Sequence, residues 1–493
     1  MDHLYGHSPE TLRMYALARN PAAPADVLLR LVRHRGLHLL ADRADLPPDL
    51  YDALVVEADH RPLLDLLEMS LVPVGRLAAL VDHPKRQVRA ALAAHVHWQV
   101  RDGIAPPDAI LARLAADPEP LVRLTVAHDM PTLPAAVRQA LLADPDPVVR
   151  ATAVDHWADA PDEIVDRLLD DTDPTVRAAA VRRGCRTRPE LVAPVLAVEE
   201  PKGWPARWVA EEAALDRPTA QRFARHPDQA WRAAVAYNPH LPADLVDELG
   251  RDPSLPVRLA VSLRPELTEQ QRAAIDYQVD PGTRVTVPTW FSRRLDDLDL
   301  LRRCAHSAHV GLRRFAATSR WLPPDLVALL AADEDFAVRL MLCEHHPDPP
   351  GGLLLATYLE REAYSLARLL RHPNFPTVGL ARLADSPAPR ARALVAHDPQ
   401  APPALIERLS HDDTPEVRSA MARDGRLPLQ RLMQLFDDRE LAGSAAANPR
   451  LPVPMMLRVL TDAGVPELTA DDPAAGIVTR TAPGDLNHPA TPG

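Results

Sequence analysis

The sequence predicts an all-α fold with no β-sheet, an α-solenoid of about seventeen short two-helix repeats with a period of roughly 26 residues. Three observations carry that expectation. An acid-to-arginine signature recurs from end to end of the 493 residues. Proline marks both the break inside each unit and the start of its second helix. Only 4% of the residues are aromatic against 46% hydrophobic, so the core must be aliphatic and alanine-rich, which suits thin helical layers stacked closely.

The signature is plainest in Asp144-Pro145-Asp146-Pro147-Val148-Val149-Arg150. The same grammar runs from Asp117 to Arg123, Asp252 to Arg258, Asp333 to Arg339 and Asp412 to Arg418, each time with an acid six residues before an arginine. That arginine or its equivalent marks registers from Arg13 through Arg177 to Ala442. The aspartate can cap exposed amides and the following proline suits a first helical turn. This first helix runs about eight residues before a break such as Asn20-Pro21, Asn238-Pro239, His346-Pro347 or Asn448-Pro449, because proline biases its predecessor away from helix.

Further prolines, as in Pro323-Pro324 and Pro402-Pro403, open the second helix. Its apolar residues fall on one stripe: Leu245, Val246, Leu249; Leu405, Ile406, Leu409. Helices this short are unstable alone and must bury that stripe on their neighbours.

The period is too short for ordinary HEAT or armadillo units. Asp-Pro-x-x-x-Val-Arg, then Asn-Pro, then Leu-Pro-x-x-Leu-x-x-Leu resembles the variant leucine-rich repeat family, a HEAT-like helical-repeat family, over roughly residues 10 to 462. The resemblance implies a right-handed superhelix of alternating short 3₁₀-like and α-helices. The family's founding member carries an iron–sulfur cluster on a cysteine-rich segment ahead of its repeats. Here no cysteine precedes Arg13, whereas such clusters take four thiolates, so no cofactor is carried over.

Residues 1–462 are therefore expected as the repeat array and 463–493 as a structureless tail, rich in proline, glycine, threonine and aspartate and free of aromatics. The register spacing stretches from Arg89 to Arg123, from Arg177 to Arg207 and from Arg284 to Arg313, and insertions in solenoids map to loops, often on a binding face.

A net charge of −12 gives no global case for nucleic acid or an anionic membrane. Three widely spaced cysteines, Cys185, Cys304 and Cys343, argue for a reducing compartment. The start has no basic region followed by an apolar run and no segment approaches spanning length, so a cytoplasmic protein is expected. Lys85 and Lys202 are the only lysines, and the alanine, proline, valine and arginine bias suggests a GC-rich bacterial genome.

The acid–arginine column (Asp117, Arg123, Asp144, Arg150, Arg177, Asp252, Arg258, Asp333, Arg339, Asp412, Arg418) reads as a ladder tying neighbouring repeats rather than as a phosphate site. Cys304-x-His306-x-x-His309 and Cys343-Glu344-His345-His346 hold metal-ligand residue types. They fall on successive helical levels, roughly 12 Å apart at about 1.5 Å rise per residue, beyond a shared first shell. No metal site is assigned. No Gly-rich phosphate loop, His-Glu-x-x-His or Gly-x-Ser-x-Gly motif is present, so no catalytic residue is assigned.

Tryptophan, over-represented at binding hot spots, gives the functional hint. Trp98, Trp157 and Trp321 follow their register arginines by seven to nine residues, in the turn between the helices, where each either covers that turn or meets a partner. The inserted Trp204-Pro205-Ala206-Arg207-Trp208 and Trp290-Phe291-Ser292-Arg293-Arg294 are expected partner contacts. The expected function is a non-enzymatic protein–protein interaction scaffold. The alternative is a helical-repeat nucleic-acid-processing enzyme of the DNA-glycosylase style, which needs a basic inner face.

Overall fold

The computed structural model describes residues 9–41, 43, 46–55, 61–69, 71–72, 74–101, 108–128, 133–157, 160–199, 207–279, 291, 294–360, 366–469 and 474–478. Among the described residues every regular element is a helix and none is a strand. No helix among the described residues is long and apolar enough to cross a membrane. The chain divides into two units, residues 150–376 and the combination of 1–149 with 377–493.

In the unit 150–376 a regular copy of the repeat lies around residues 228–262. Asp228 caps the eight-residue helix Gln229–Ala236, its carboxylate accepting the Ala230 amide at 2.8 Å. The helix stops at Asn238-Pro239, and Ala243–Leu249 follows Pro242 with Leu245, Val246 and Leu249 buried. The next first helix, Leu255–Ser262, stacks on Gln229–Ala236, and this in turn stacks on Arg207–Glu212. Their shared core is aliphatic, with Phe223 and Trp231 stacked at 5.1 Å as its aromatic exception.

First and second helices are both mainly α-helical rather than alternating with 3₁₀ turns. The 3₁₀ pieces include Leu37–Leu40, Leu380–Leu383 and Leu394–His397. One first helix is much longer than the expected eight residues: Arg86–Arg101 runs for 16, because neither proline nor glycine interrupts it. Trp98 therefore lies within a helix and not in a turn.

The second unit joins the two ends of the chain. Helix Pro9–Ala18 stacks on Ala442–Ala446, from the last full repeat, as consecutive first helices do elsewhere. The same side-chain device registers this junction and ordinary ones. Asn448 donates from Nδ2 to the carbonyls of Ala422 and Asp424 one repeat earlier, both at 2.8 Å. Asn20 donates to the carbonyls of Ala446 and Asn448 at 3.0 and 2.7 Å. Arg43 then donates to those of Ala18 and Asn20 at 3.1 and 2.7 Å. The first repeat thus occupies, relative to the last, the position of a next repeat in sequence.

The segment past Asp462 contributes to that junction. Val465 is buried, and Arg30 donates to the carbonyls of Val465 and Pro466 at 3.0 and 2.8 Å. A short helix, Ala475–Val478, lies against Pro48–Val55 with Ala474, Ala475 and Val478 buried. Residues 463–469 and 474–478 of the expected structureless tail are thus ordered. The small apolar residues among the prolines and glycines find buried sites on the first two repeats. Residues 479–493 lie outside the described residues.

Candidate functional site

Each ladder arginine serves two repeats at once. Arg123 pairs through Nε and Nη2 with both oxygens of Asp144, in the next repeat, at 2.7 and 2.8 Å. Its Nη1 donates to the main-chain oxygen of Asp117, six residues back in its own repeat, at 2.7 Å. The acid in turn accepts the amide two residues on, Asp146 N to Asp144 Oδ1 at 2.9 Å, and so holds its own turn. The same fork joins Arg89 to Asp117, Arg150 to Asp171, Arg232 to Asp252, Arg313 to Asp333 and Arg392 to Asp412. The charge pairs therefore run between repeats, while the residue six positions before the arginine offers it a carbonyl whatever its side chain: Asp117 to Arg123, but His83 to Arg89, His226 to Arg232, Ser307 to Arg313 and Ser386 to Arg392.

These pairs are nearly buried, which strengthens the bidentate bonds. The Arg392 hydrogen bond is the main cause holding the Asp412 carboxyl down to about 2. At Asp117 burial pushes the pKa up, yet the bonds from Arg89 and the Glu119 amide outweigh it and the net direction is down. Three further rungs, interspersed with these, are looser. Arg258 reaches Asp276, Arg339 reaches Glu360 and Arg418 reaches Glu440, each with an acid far more exposed than those of the core rungs. Arg177 donates to the main-chain oxygens of Asp171 and Thr172.

A second polar column runs through the turns. Besides Asn20 and Asn448, Asn238 donates to Ala210 and Ala213 carbonyls, both at 2.8 Å, and Arg264 donates to Ala236 and Asn238 at 2.8 and 2.6 Å. His346 bonds the Leu322 carbonyl at 3.3 Å from the same place. Asparagine, arginine and histidine exchange here because each can donate to the preceding turn.

The two histidine–cysteine clusters do not converge. Both ring nitrogens of His309 are engaged, Nδ1 by the Gly311 amide and Nε2 by Ser262 Oγ, each at 2.9 Å, and Tyr277 stacks on the ring at 4.3 Å. Burial, reinforced by Arg272, holds this histidine down to about 3. His306 Nδ1 contacts its own helix at the Arg302 carbonyl. Burial pushes the Cys185 and Cys304 thiols up to about 12 and Cys343 up to about 11, which leaves them protonated and unreactive. Among the described residues no three His, Cys, Asp or Glu side chains gather as a metal site.

The aromatic candidates separate. Trp321 is 59% exposed, with the Arg320 guanidinium 5.5 Å from its ring. Trp157 is half-buried and gives its carbonyl to Arg183 Nε at 2.8 Å. Trp208 is half-buried beside the Arg186 guanidinium at 5.9 Å. Phe291, expected as a partner contact, is fully buried with its ring 5.4 Å from Phe315 and belongs to the core. Trp204, Trp290 and the side chain of Trp98 lie outside the described residues. Sequence reasoning missed an apolar row on the second helices: Leu429 and Val453, each directly after a proline in successive repeats, and Leu457 one turn on, are all exposed. Its signal was a leucine or valine on the polar side of an otherwise regular stripe.

No curated protein matches the chain. Residues 231–254, which take in Arg232, the Asn238 turn, the helix Ala243–Leu249 and Asp252, match the model of the leucine rich repeat variant family. At that stretch the chain carries a repeat of this HEAT-like helical-repeat family, and both polar columns pass through it.

Proposed function

We propose that the chain is a non-enzymatic scaffold that binds another protein in the cytoplasm. The supporting observation is the contrast between its interior and exterior. The arginine forks and turn donors are taken up in holding repeat to repeat, while Trp321 stands in solvent in a turn and Leu429, Val453 and Leu457 do so on helices whose stripes are already buried. Exposed aromatic and aliphatic side chains on a rigid frame are what a protein partner can bury. Three free, buried cysteines fit a reducing compartment. The test is purification of the intact chain from its native source, followed by sizing and subunit stoichiometry. A co-eluting protein at fixed ratio, released by Trp321→Ala or by Val453→Asp without change in the melt, is expected. Recovery of the chain alone refutes the scaffold.

A further inference from the structure

Two repeats, one in each unit, carry the same histidine–arginine pair at the end of their first helices. His156 is followed 26 residues later by Arg182, and His397 is followed at the same spacing by Arg423. In the first pair the arginine is neutralised from within, since Arg182 Nη2 meets the Asp155 carboxylate at 2.5 Å. The cavity there is about 240 Å³. In the second pair the residue at the Asp155 position is Ala396.

The surroundings of the two arginines differ in two respects. Among the described residues Arg423 has no carboxylate partner, and its hydrogen bond runs from Nη2 to Ser444 Oγ at 3.3 Å. The cavity here is about 640 Å³, with His397, Arg423, small residues and the paired Asp424 and Arg426 in its lining. The two nearest acids are engaged elsewhere. Asp424 takes Nε and Nη2 of Arg426 at 2.9 and 2.6 Å, and Asp398 accepts the amides of Ala381 and Gln400 at 2.8 and 2.9 Å.

The Arg423 side chain is open to solvent, so a ligand can reach it. Surrounding protein nevertheless desolvates the guanidinium and, with the neighbouring charge of Arg19, lowers its pKa. A solvent-reachable guanidinium with no carboxylate of its own is free to take one from outside. Burial also lowers His397, more than Asp424 raises it, so the imidazole is neutral near pH 7 and offers a hydrogen bond. Small apolar walls with a few polar groups suit a small organic ligand or one side chain of a peptide.

We propose that Arg423 and His397 form a binding site for a carboxylate from outside the chain, seated where Asp155 sits in the equivalent repeat. The guanidinium forks onto both carboxylate oxygens and the imidazole adds one bond. A free dicarboxylic acid and a glutamate side chain of a peptide share this chemistry.

The arginine Nε–H resonances of the full chain, with Arg423 assigned through Arg423→Lys, report occupancy. Titration with sodium succinate and with an acetylated tetraglutamate peptide, against sodium chloride at equal ionic strength, is expected to shift that resonance saturably. Ala396→Asp, which supplies an internal carboxylate, and Arg423→Ala should each weaken binding by about tenfold or more, with unchanged melts. Tighter binding of succinate points to a free organic acid, and tighter binding of the peptide to an acidic segment. Saturation by neither probe, or equal binding by Ala396→Asp and the unaltered chain, overturns the proposal.

Discussion

The junction between the first and last repeats hangs on a fully buried asparagine, and Asn20→Ala isolates it. The substitution removes the donor to the Ala446 and Asn448 carbonyls and the acceptor of the Ala22 amide, at 3.0, 2.7 and 2.9 Å. The Asn448 carbonyl keeps a bond from the Leu451 amide at 3.0 Å, so two groups, Ala446 O and Ala22 N, lose their side-chain partner outright. A buried polar group left unpaired costs about 1–3 kcal/mol; the Ala446 carbonyl bears that cost in full while the Ala22 amide is only part-buried, which places the destabilisation at about 1–3 kcal/mol. The assay is hydrogen exchange with chemical denaturation. Asn20→Ala should accelerate exchange in both 9–20 and 442–465, far apart in sequence, whereas Asn238→Ala should act on 207–240. Unchanged protection of 442–446 in Asn20→Ala refutes the stacking of the two ends.

Arg150→Ala leaves the part-buried Asp171 carboxylate without its guanidinium and should cost about 1.5–3 kcal/mol, read as a lower melting temperature. Arg150→Lys should recover only part of this, since an ammonium cannot fork. Asp412 is depressed from 3.8 to about 2, so its stabilisation is complete above its unfolded value and drains away as pH falls from about 4 through about 2; Asp412→Asn should flatten that slope. His309, held neutral by a depression from 6.5 to about 3, contributes stability above pH 6.5 that is lost as pH falls toward about 3. His309→Asn should reduce the pH slope in that window by this group's share. Gly351→Ala would bring a Cβ within 2.6 Å of the Asn374 carbonyl and should destabilise the unit 150–376 by about 1–3 kcal/mol in a denaturant titration.

The repeat was legible because its information is local. Aspartate, proline and arginine at fixed spacing dictate a cap, a first turn and a charged group within a dozen residues. The partner of each arginine was half legible: six residues of one turn and helix bring back a carbonyl, while the carboxylate comes from the next repeat and needs the stacking distance, which no single unit encodes. The junction of the ends was hidden by more than 420 residues of separation. Its trace was Asn20 matching Asn448 and Asn238, read only as a turn signal. Phe291 was misread because aromatic bulk in an irregular repeat looks the same whether it fills a core gap or faces a partner. Ala396 carried no signal until its counterpart Asp155 could be seen holding Arg182.

Stacking of the ends changes what the chain can offer a partner. An open helical array must protect two terminal faces, each an apolar layer with no next repeat, and ordinarily does so with polar capping repeats. Here Leu17 and Ala18 of the first repeat and Leu441, Ala442 and Ala445 of the last are buried, and the Arg13 guanidinium lies 5.0 Å from the Phe436 ring while donating to its carbonyl. The two faces are consumed by each other, so neither can serve as a docking end, and a partner must use the sides of the repeats. Under the proposed function, recognition then falls to exposed groups such as Trp321 and Val453 and to the Arg423 cavity. It also means that truncating either end uncovers the other. A chain lacking residues 1–35 should expose the Leu441–Ala446 layer and aggregate, although every residue of its last repeats is intact.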